Sequence, residues 1–294
     1  MDLGAFLRAR RFYESPAAIR AYGALRSVAS RLGFQVVLKT FYSPIPDLAT
    51  LPPDTFDREV GLPGIGWDLD AQLERYGGVV VPFTPDRYSP ENPSYALLDA
   101  TTLYGVVRTH KPRRIVELGS GHTTLVSTQA ARENAAEGHP CRVDAYDPFP
   151  GVATPDLPGL DGLHRIAAQD IPLDVFDELE SGDVLFVDTT HVVKLGSDVN
   201  HIVLQILPRL KPGVIVHVHD IFIPYEYPRQ WPEKFGLFWS EQYLLHAFLA
   251  MNPGYEILFS VSALHRDRAD ALRALVPSAM AGGGSGFWIR RTAN

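Results

Sequence analysis

Two short segments hold an unusual share of the side chains able to do chemistry. One reads Asp188-Thr189-Thr190-His191 and the other His217-Val218-His219-Asp220. Each follows an apolar run, Val184 to Val187 in the first case and Val214 to Val216 in the second. Asp188, His219 and Asp220 offer oxygen, nitrogen and oxygen donors, a set that suits a divalent cation. The competing reading makes His219 a hydrogen-bonded core histidine and Asp220 the cap of a turn. His217 shares a strand face with His219 and lies deeper, so packing is its expected role. A second group begins at Gly119 and Gly121, which allow a tight turn and a close approach of ligand to backbone. Asp147 ends the next apolar run, where a carboxylate can accept hydrogen bonds from both hydroxyls of a ribose. Gln169 carries a donor and an acceptor and can read an adenine edge, or simply sit in a loop.

These residues share one edge only if the elements beneath them alternate. Ile115, Val116 and Leu118 form a short β-branched run, as a buried parallel strand needs. Glycines follow, and Thr123 or Thr124 can start a helix running to about Glu133. Further strands are expected at 142–146, 163–167, 184–187, 214–218 and 255–261, with a last one at 287–290 after a glycine-rich run. Helices are expected at 94–110, 199–210 and 240–250. Strand–helix alternation predicts an α/β fold: a doubly wound, mostly parallel Rossmann-like sheet with an antiparallel last strand. In such a sheet ligands bind at the carboxyl ends of the strands. A dinucleotide fingerprint would want a third glycine where this chain has Thr124.

Glu117-Leu118-Gly119-Ser120-Gly121 at the end of a first strand resembles motif I of the class I S-adenosylmethionine-dependent methyltransferases. That resemblance implies that Glu117, Gly119, Ser120, Gly121, Asp147 and Gln169 bind S-adenosylmethionine. Residues 183–224 resemble the metal-dependent, catechol-type small-molecule O-methyltransferases. By that likeness Asp188, His219 and Asp220 bind the metal, and His191 takes the position of the family's general base, usually lysine. The family's second ligand is not histidine; imidazole leaves the metal open among Mg, Mn, Fe, Ni and Zn. The function implied is methyl transfer to a small molecule, to oxygen, with a metal's help. Two alternatives stay open: an iron-dependent oxygenase on this fold, and a non-catalytic cofactor-binding protein.

Composition bounds the rest. The chain has 294 residues and a formal net charge of -7, which argues against a general nucleic-acid binder. Its single cysteine excludes an intramolecular disulfide and a cysteine-rich zinc site. No uninterrupted apolar run is long enough to span a bilayer. The apolar residues near Met1 precede Arg8, Arg10 and Arg11, the reverse of a secretory signal, so a cytoplasmic protein is expected. Residues 1–93 read as a helical and irregular extension that caps the substrate site or mediates a homo-oligomer, and 94–294 as the cofactor-binding domain. Within the extension, residues 1–40 read as a basic helix for a membrane surface, the main domain or a second subunit. The aromatic insertion 222–232 is expected to wall the acceptor pocket, with Arg229 either holding an acidic group or engaged in a surface salt bridge.

Overall fold

The structure, a computed structural model, describes residues 12–40 and 42–293. Arg8, Arg10 and Arg11 of the basic helix fall outside the described residues. The chain forms two compact units, Met1–Pro53 and Asp54–Asn294. In the first, Ser15 caps helix α1 (Pro16–Arg31) by accepting from the Ala18 N–H, and a proline occupies the first turn. Tyr22 donates to the Val36 carbonyl oxygen, which ties the following segment back along the helix.

The second unit takes in residues 54–93 together with the sheet and its helices. Asp68 caps α2 (Leu69–Gly77) with two hydrogen bonds, to the N–H groups of Asp70 and Ala71. The buried Tyr76 of α2 meets Phe259 edge to face, at 5.4 Å between centroids. Prolines and glycines on either side had disguised this helix as irregular covering. The order then runs α3 (Leu97–His110), β1 (Arg114–Leu118), α4 (His122–Ala136), β2 (Arg142–Tyr146), β3 (Gly162–His164), a helical turn α5 (Asp174–Asp177) and β4 (Val184–Val187). After it come α6 (Asp198–His201), β5 (Ile215–Val218), α7 (Glu241–Leu249), β6 (Tyr255–Ser260), α8 (Val261–Asp267), α9 (Ala269–Leu275) and β7 (Phe287–Arg291). The expected helix at 199–210 is a composite: α6 widens into a π-helical turn at Ile202–Ile206 and tightens at Leu207–Arg209.

Seven strands form one sheet in the order β3-β2-β1-β4-β5-β7-β6. The first five are parallel, and β7 runs antiparallel to both β5 and β6, as expected from the sequence. Alternation sorts the strand residues into two cores. Ile115, Val143, Val184, Phe186 and Ile215 pack on the face of α3 and α4. Val116, Leu118, Leu185, Val187, Val216 and Val218 pack on the other, with Ile202 to Leu210. Each large apolar side chain fully buried in these layers contributes about 2 kcal/mol. The central strands are short and buried on both faces, with Glu117 of β1 and His217 of β5 among otherwise apolar neighbours. No helix of the described residues is long and apolar enough to cross a membrane.

Candidate active site at the carboxyl edge of the sheet

The turn after β1 is built by side chains that the strand itself delivers. Glu117 points to the α4 face and is fully buried; it accepts hydrogen bonds from the hydroxyls of Thr123 and Thr124. Thr124 in turn accepts from the Gly121 N–H at 2.9 Å. Glu117 thus pins the start of α4 from below and does not line a cavity. Burial lifts its carboxyl to about 8, the two threonine hydrogen bonds opposing and the charges of Asp188 and Asp147 adding to the rise. Since that value lies above the ordinary 4.5, protonation accompanies folding. The stability this group contributes is complete below about pH 4.5 and is lost as pH rises through about 8. Glu117→Gln should therefore melt roughly 5 °C above the wild type at pH 8.5 and level with it near pH 4.5. Parallel melting curves for the two proteins across that range would refute the burial argument.

Gly119 and Gly121 do different work. Gly119 has φ +86°, and a Cβ there would overlap the backbone carbonyl oxygen of Asp188. This glycine is required by the close passage of the β1 and β4 ends. Gly121 has open space where a Cβ would lie. Ser120 donates through its N–H and its hydroxyl to Asp147 Oδ2, each at 2.9 Å, while Phe149 N–H donates to Oδ1. The ends of β1 and β2 are thereby latched together by the carboxylate expected to meet a ribose. Gly119, Asp147, Phe149, Gln169 and Asp188 line a cavity of about 420 Å³, and Thr190, Lys194 and Asp198 close its far side. A larger cavity, about 600 Å³, lies beside β6 at Trp67 and Arg75 and contains none of these residues.

Past β4, the loop that carries His191 is held firmly. Asp198 accepts from the Thr190 N–H at 3.0 Å and from its hydroxyl at 2.6 Å. His191 has φ +58°, a costly backbone state for a non-glycine residue, and is 5% exposed. Its Nε2 lies 3.2 Å from Asp188 Oδ1 and 3.9 Å from Asp220 Oδ2, and its Nδ1 lies 2.9 Å from Glu241 Oε2. Trp239 stacks on the ring at 4.2 Å. Burial disfavours the charged imidazole, yet the hydrogen bonds of Asp188 and Glu241 outweigh it and raise the ring to about 10. Two carboxylates thus hold this ring protonated at neutral pH.

His219 turns to the other side. Two-residue alternation puts it on the α3 face with His217, and its ring lies 5.0 Å from that of Tyr95. Its Nε2 is 3.6 Å from Asp220 Oδ1 and 3.5 Å from the Ser285 hydroxyl, which donates to Asp220 Oδ1 at 2.6 Å. Burial alone would depress the His219 ring; the charges of Asp220, Asp188 and Asp99 raise it instead. Asp99 is buried on α3 and accepts from the N–H groups of Ser285 and Gly286, each at 2.9 Å. His217 is fully buried, stacked on Phe186 at 4.1 Å, and burial depresses it far below its ordinary value, so it is neutral packing as expected.

The structure thus brings Asp188, His191, His219 and Asp220 to one edge, joined by separations of 3.2 to 3.9 Å. In type they suit a divalent cation. In placement they bond to one another, and among the described residues no three His, Cys, Asp or Glu side chains are set to hold a metal ion. Sequence reasoning missed Glu241, Trp239, Asp99 and Ser285; no local pattern marks them, because they meet the site only through the fold. In the aromatic insertion, Trp231 meets Trp239 at 4.5 Å and stacks with Tyr227 at 5.9 Å. Tyr225 instead donates to Asp267 beneath the Arg266 guanidinium. Arg229 pairs with Glu233 and Asp57, which favours the surface-bridge reading.

A family described as methyltransferase domain matches residues 116–221, the stretch from within β1 to just beyond β5. Over that stretch the chain is similar to a methyltransferase domain, and the stretch holds the glycine turn and the parallel strands β2, β3, β4 and β5. Similar solved structures include CmcI in its apo form, 16% identical over 83% of this chain and 90% of that one, with a TM-score of 0.42. CmcI with Mg and SAM is 18% identical over 80% and 91% of the two chains, TM-score 0.37. A putative methyltransferase from Thermobifida fusca YX is 16% identical over 67% and 79%, TM-score 0.41. No curated protein matches the sequence.

Proposed function

We propose that this protein transfers the methyl group of S-adenosylmethionine to an oxygen of a small molecule. The observation that carries the reading is the cavity of about 420 Å³ lined by Gly119, Asp147, Gln169 and Asp188. Asp147 keeps acceptor capacity for ribose hydroxyls beyond its bonds to Ser120 and Phe149. Gln169 shares the lining, and its amide can serve an adenine as a polar edge partner. When bound, S-adenosylmethionine supplies a sulfonium methyl, and the transfer breaks its C–S bond as the acceptor's O–C bond forms. Asp188, His219 and Asp220 are the residues that would hold a divalent cation, after giving up their present partners, and such a cation would lower the pKa of an acceptor hydroxyl. In the free protein His191 Nε2 carries the proton that it shares with Asp188. Once that proton has passed to solvent and an acceptor hydroxyl has replaced the carboxylate as its partner, Nε2 takes the acceptor's proton. The aromatic rings of Tyr227, Trp231 and Trp239 offer an apolar wall next to that nitrogen and exclude water from it.

Titration calorimetry with S-adenosylhomocysteine tests the cofactor half directly. The wild type should bind it, and Gly121→Val should fold with an unchanged melting temperature yet bind at least about tenfold more weakly, a loss of some 1.4 kcal/mol. A Cβ at Gly121 meets no protein atom within 4 Å, so the fold should tolerate the substitution and any loss of affinity reports on ligand contact at the turn. A folded wild type that binds no S-adenosylhomocysteine, or that prefers a nicotinamide cofactor, would sink the reading.

A further inference from the structure

His191 is gripped by one short stretch of chain that lies 50 residues further on. Its carbonyl oxygen accepts hydrogen bonds from the N–H groups of Ser240 and Glu241, at 2.9 and 3.1 Å. The Ser240 hydroxyl accepts from the Val193 N–H at 2.8 Å, two residues along the same loop. Trp239 covers one face of the imidazole at 4.2 Å. Glu241 Oε2 meets Nδ1 at 2.9 Å. Backbone, ring face and ring nitrogen are thus fixed by three consecutive residues, Trp239, Ser240 and Glu241. Glu241 opens α7, whose Leu245 and Leu249 are buried in the second core, so the grip is anchored to a rigid element.

Burying the Glu241 carboxylate, 1% exposed, carries a desolvation cost that a single neutral contact would not offset. Its other oxygen, Oε1, has no hydrogen-bond partner among the described residues. An apolar side chain at the head of α7 would fill this space at less cost, so the carboxylate is there for the ring it faces. We propose that Glu241 is the positioning residue of the site: it keeps a proton on His191 Nδ1 and aims Nε2 at the edge shared by Asp188 and Asp220. The inference rests on the reading of His191 as proton acceptor. It adds that the acceptor works as a Glu241–His191 unit, with its orientation set by α7 rather than by the loop after β4. A carboxylate that fixes the tautomer and direction of a working imidazole is a general device, and its loss commonly costs 10- to 100-fold.

The test combines a double-mutant cycle with nitrogen-15 NMR of the histidine rings. Glu241→Gln preserves volume and should lower kcat by about 10- to 100-fold, leaving acceptor KM and S-adenosylhomocysteine affinity within about twofold. In a His191→Ala background the same change should lower kcat by less than about twofold, because a residue acting through the ring has nothing left to position. Equal fold-losses in both backgrounds, or a Glu241→Gln enzyme with wild-type kcat, would overturn the proposal. The NMR arm needs no turnover and no folded variant. In the wild type the His191 ring should show a protonated Nδ1 whose proton lies far downfield and exchanges slowly. An unprotonated Nδ1 would overturn the proposal even if methyl transfer is established. If no acceptor is methylated, the proton-acceptor reading fails on its own, while the NMR arm still decides whether Glu241 holds the ring.

Discussion

Alanine at position 191 should lower kcat roughly 10²- to 10⁴-fold, the range for a removed general base, with cofactor affinity preserved. The argument is geometric. His191 Nε2 lies 3.2 Å from Asp188, which lines the cavity, and 3.9 Å from Asp220, with Trp239 stacked on the ring. His191 is not in the cofactor cavity wall, so S-adenosylhomocysteine binding should change by less than about twofold. The melting temperature should fall as well, since the truncation strands the buried Glu241 carboxylate without its partner; breaking such a pair costs about 3–5 kcal/mol. Steady-state kinetics at a temperature well below the variant's melting point separate the two effects. His219→Ala, run in parallel with metal analysis, assigns the ligands. If His219→Ala loses metal and rate together while His191→Ala keeps its metal, the roles stand as proposed. The reverse pattern would make His191 the ligand, and a rate within tenfold of wild type in His191→Ala would remove it from the reaction.

The second large effect concerns folding. Gly119→Ala should destabilise the protein by more than about 4 kcal/mol and yield little soluble material, the behaviour reserved for substitutions that meet backbone at a strained position. At φ +86° any side chain is strained, and here the new methyl would overlap the Asp188 carbonyl. Gly119 N–H donates to the Tyr146 carbonyl oxygen and Asp188 N–H to that of Leu118, so three strand ends are tied at this point. Relieving the overlap would pull β1 from β4 and break the ladder between Leu118 and Val187. Circular dichroism and thermal melts of Gly119→Ala beside Gly121→Val decide the matter. A Gly119→Ala protein with native stability but no cofactor binding would assign this glycine to the ligand instead of the fold.

The two glycines look alike in the sequence, yet a Cβ would meet backbone at Gly119 and open space at Gly121. Where a strand end passes a neighbour at backbone distance, the obstacle is a residue such as Asp188, whose proximity no spacing rule reveals. Helix α2 was missed for a related reason. Nine residues flanked by prolines and glycines carry a weak periodic signal, and what stabilises them is Tyr76 against Phe259 and Gln72 Oε1 accepting the Ser260 N–H, across 188 residues of chain.

What local order can dictate, the amino-acid sequence dictated. Apolar runs of four or five residues ending in polar clusters placed Glu117, Asp147, Asp188 and His219-Asp220 at strand ends. The right-handed parallel crossover then obliged those ends to share one edge. The same two-residue period put His217 in the core. Which groups face one another across that edge was settled by packing. Asp99 reaches Ser285 and Gly286, beside His219, from a helix more than a hundred residues earlier, and Glu241 reaches His191 from a helix beyond the aromatic insertion. Those pairings set the electrostatics: an imidazole that the sequence alone would leave near 6.5 is carried to about 10 by two carboxylates. Short-range dihedral preferences and periodicity act over a few residues. A pKa depends on every charge within several ångströms, whatever its distance along the chain.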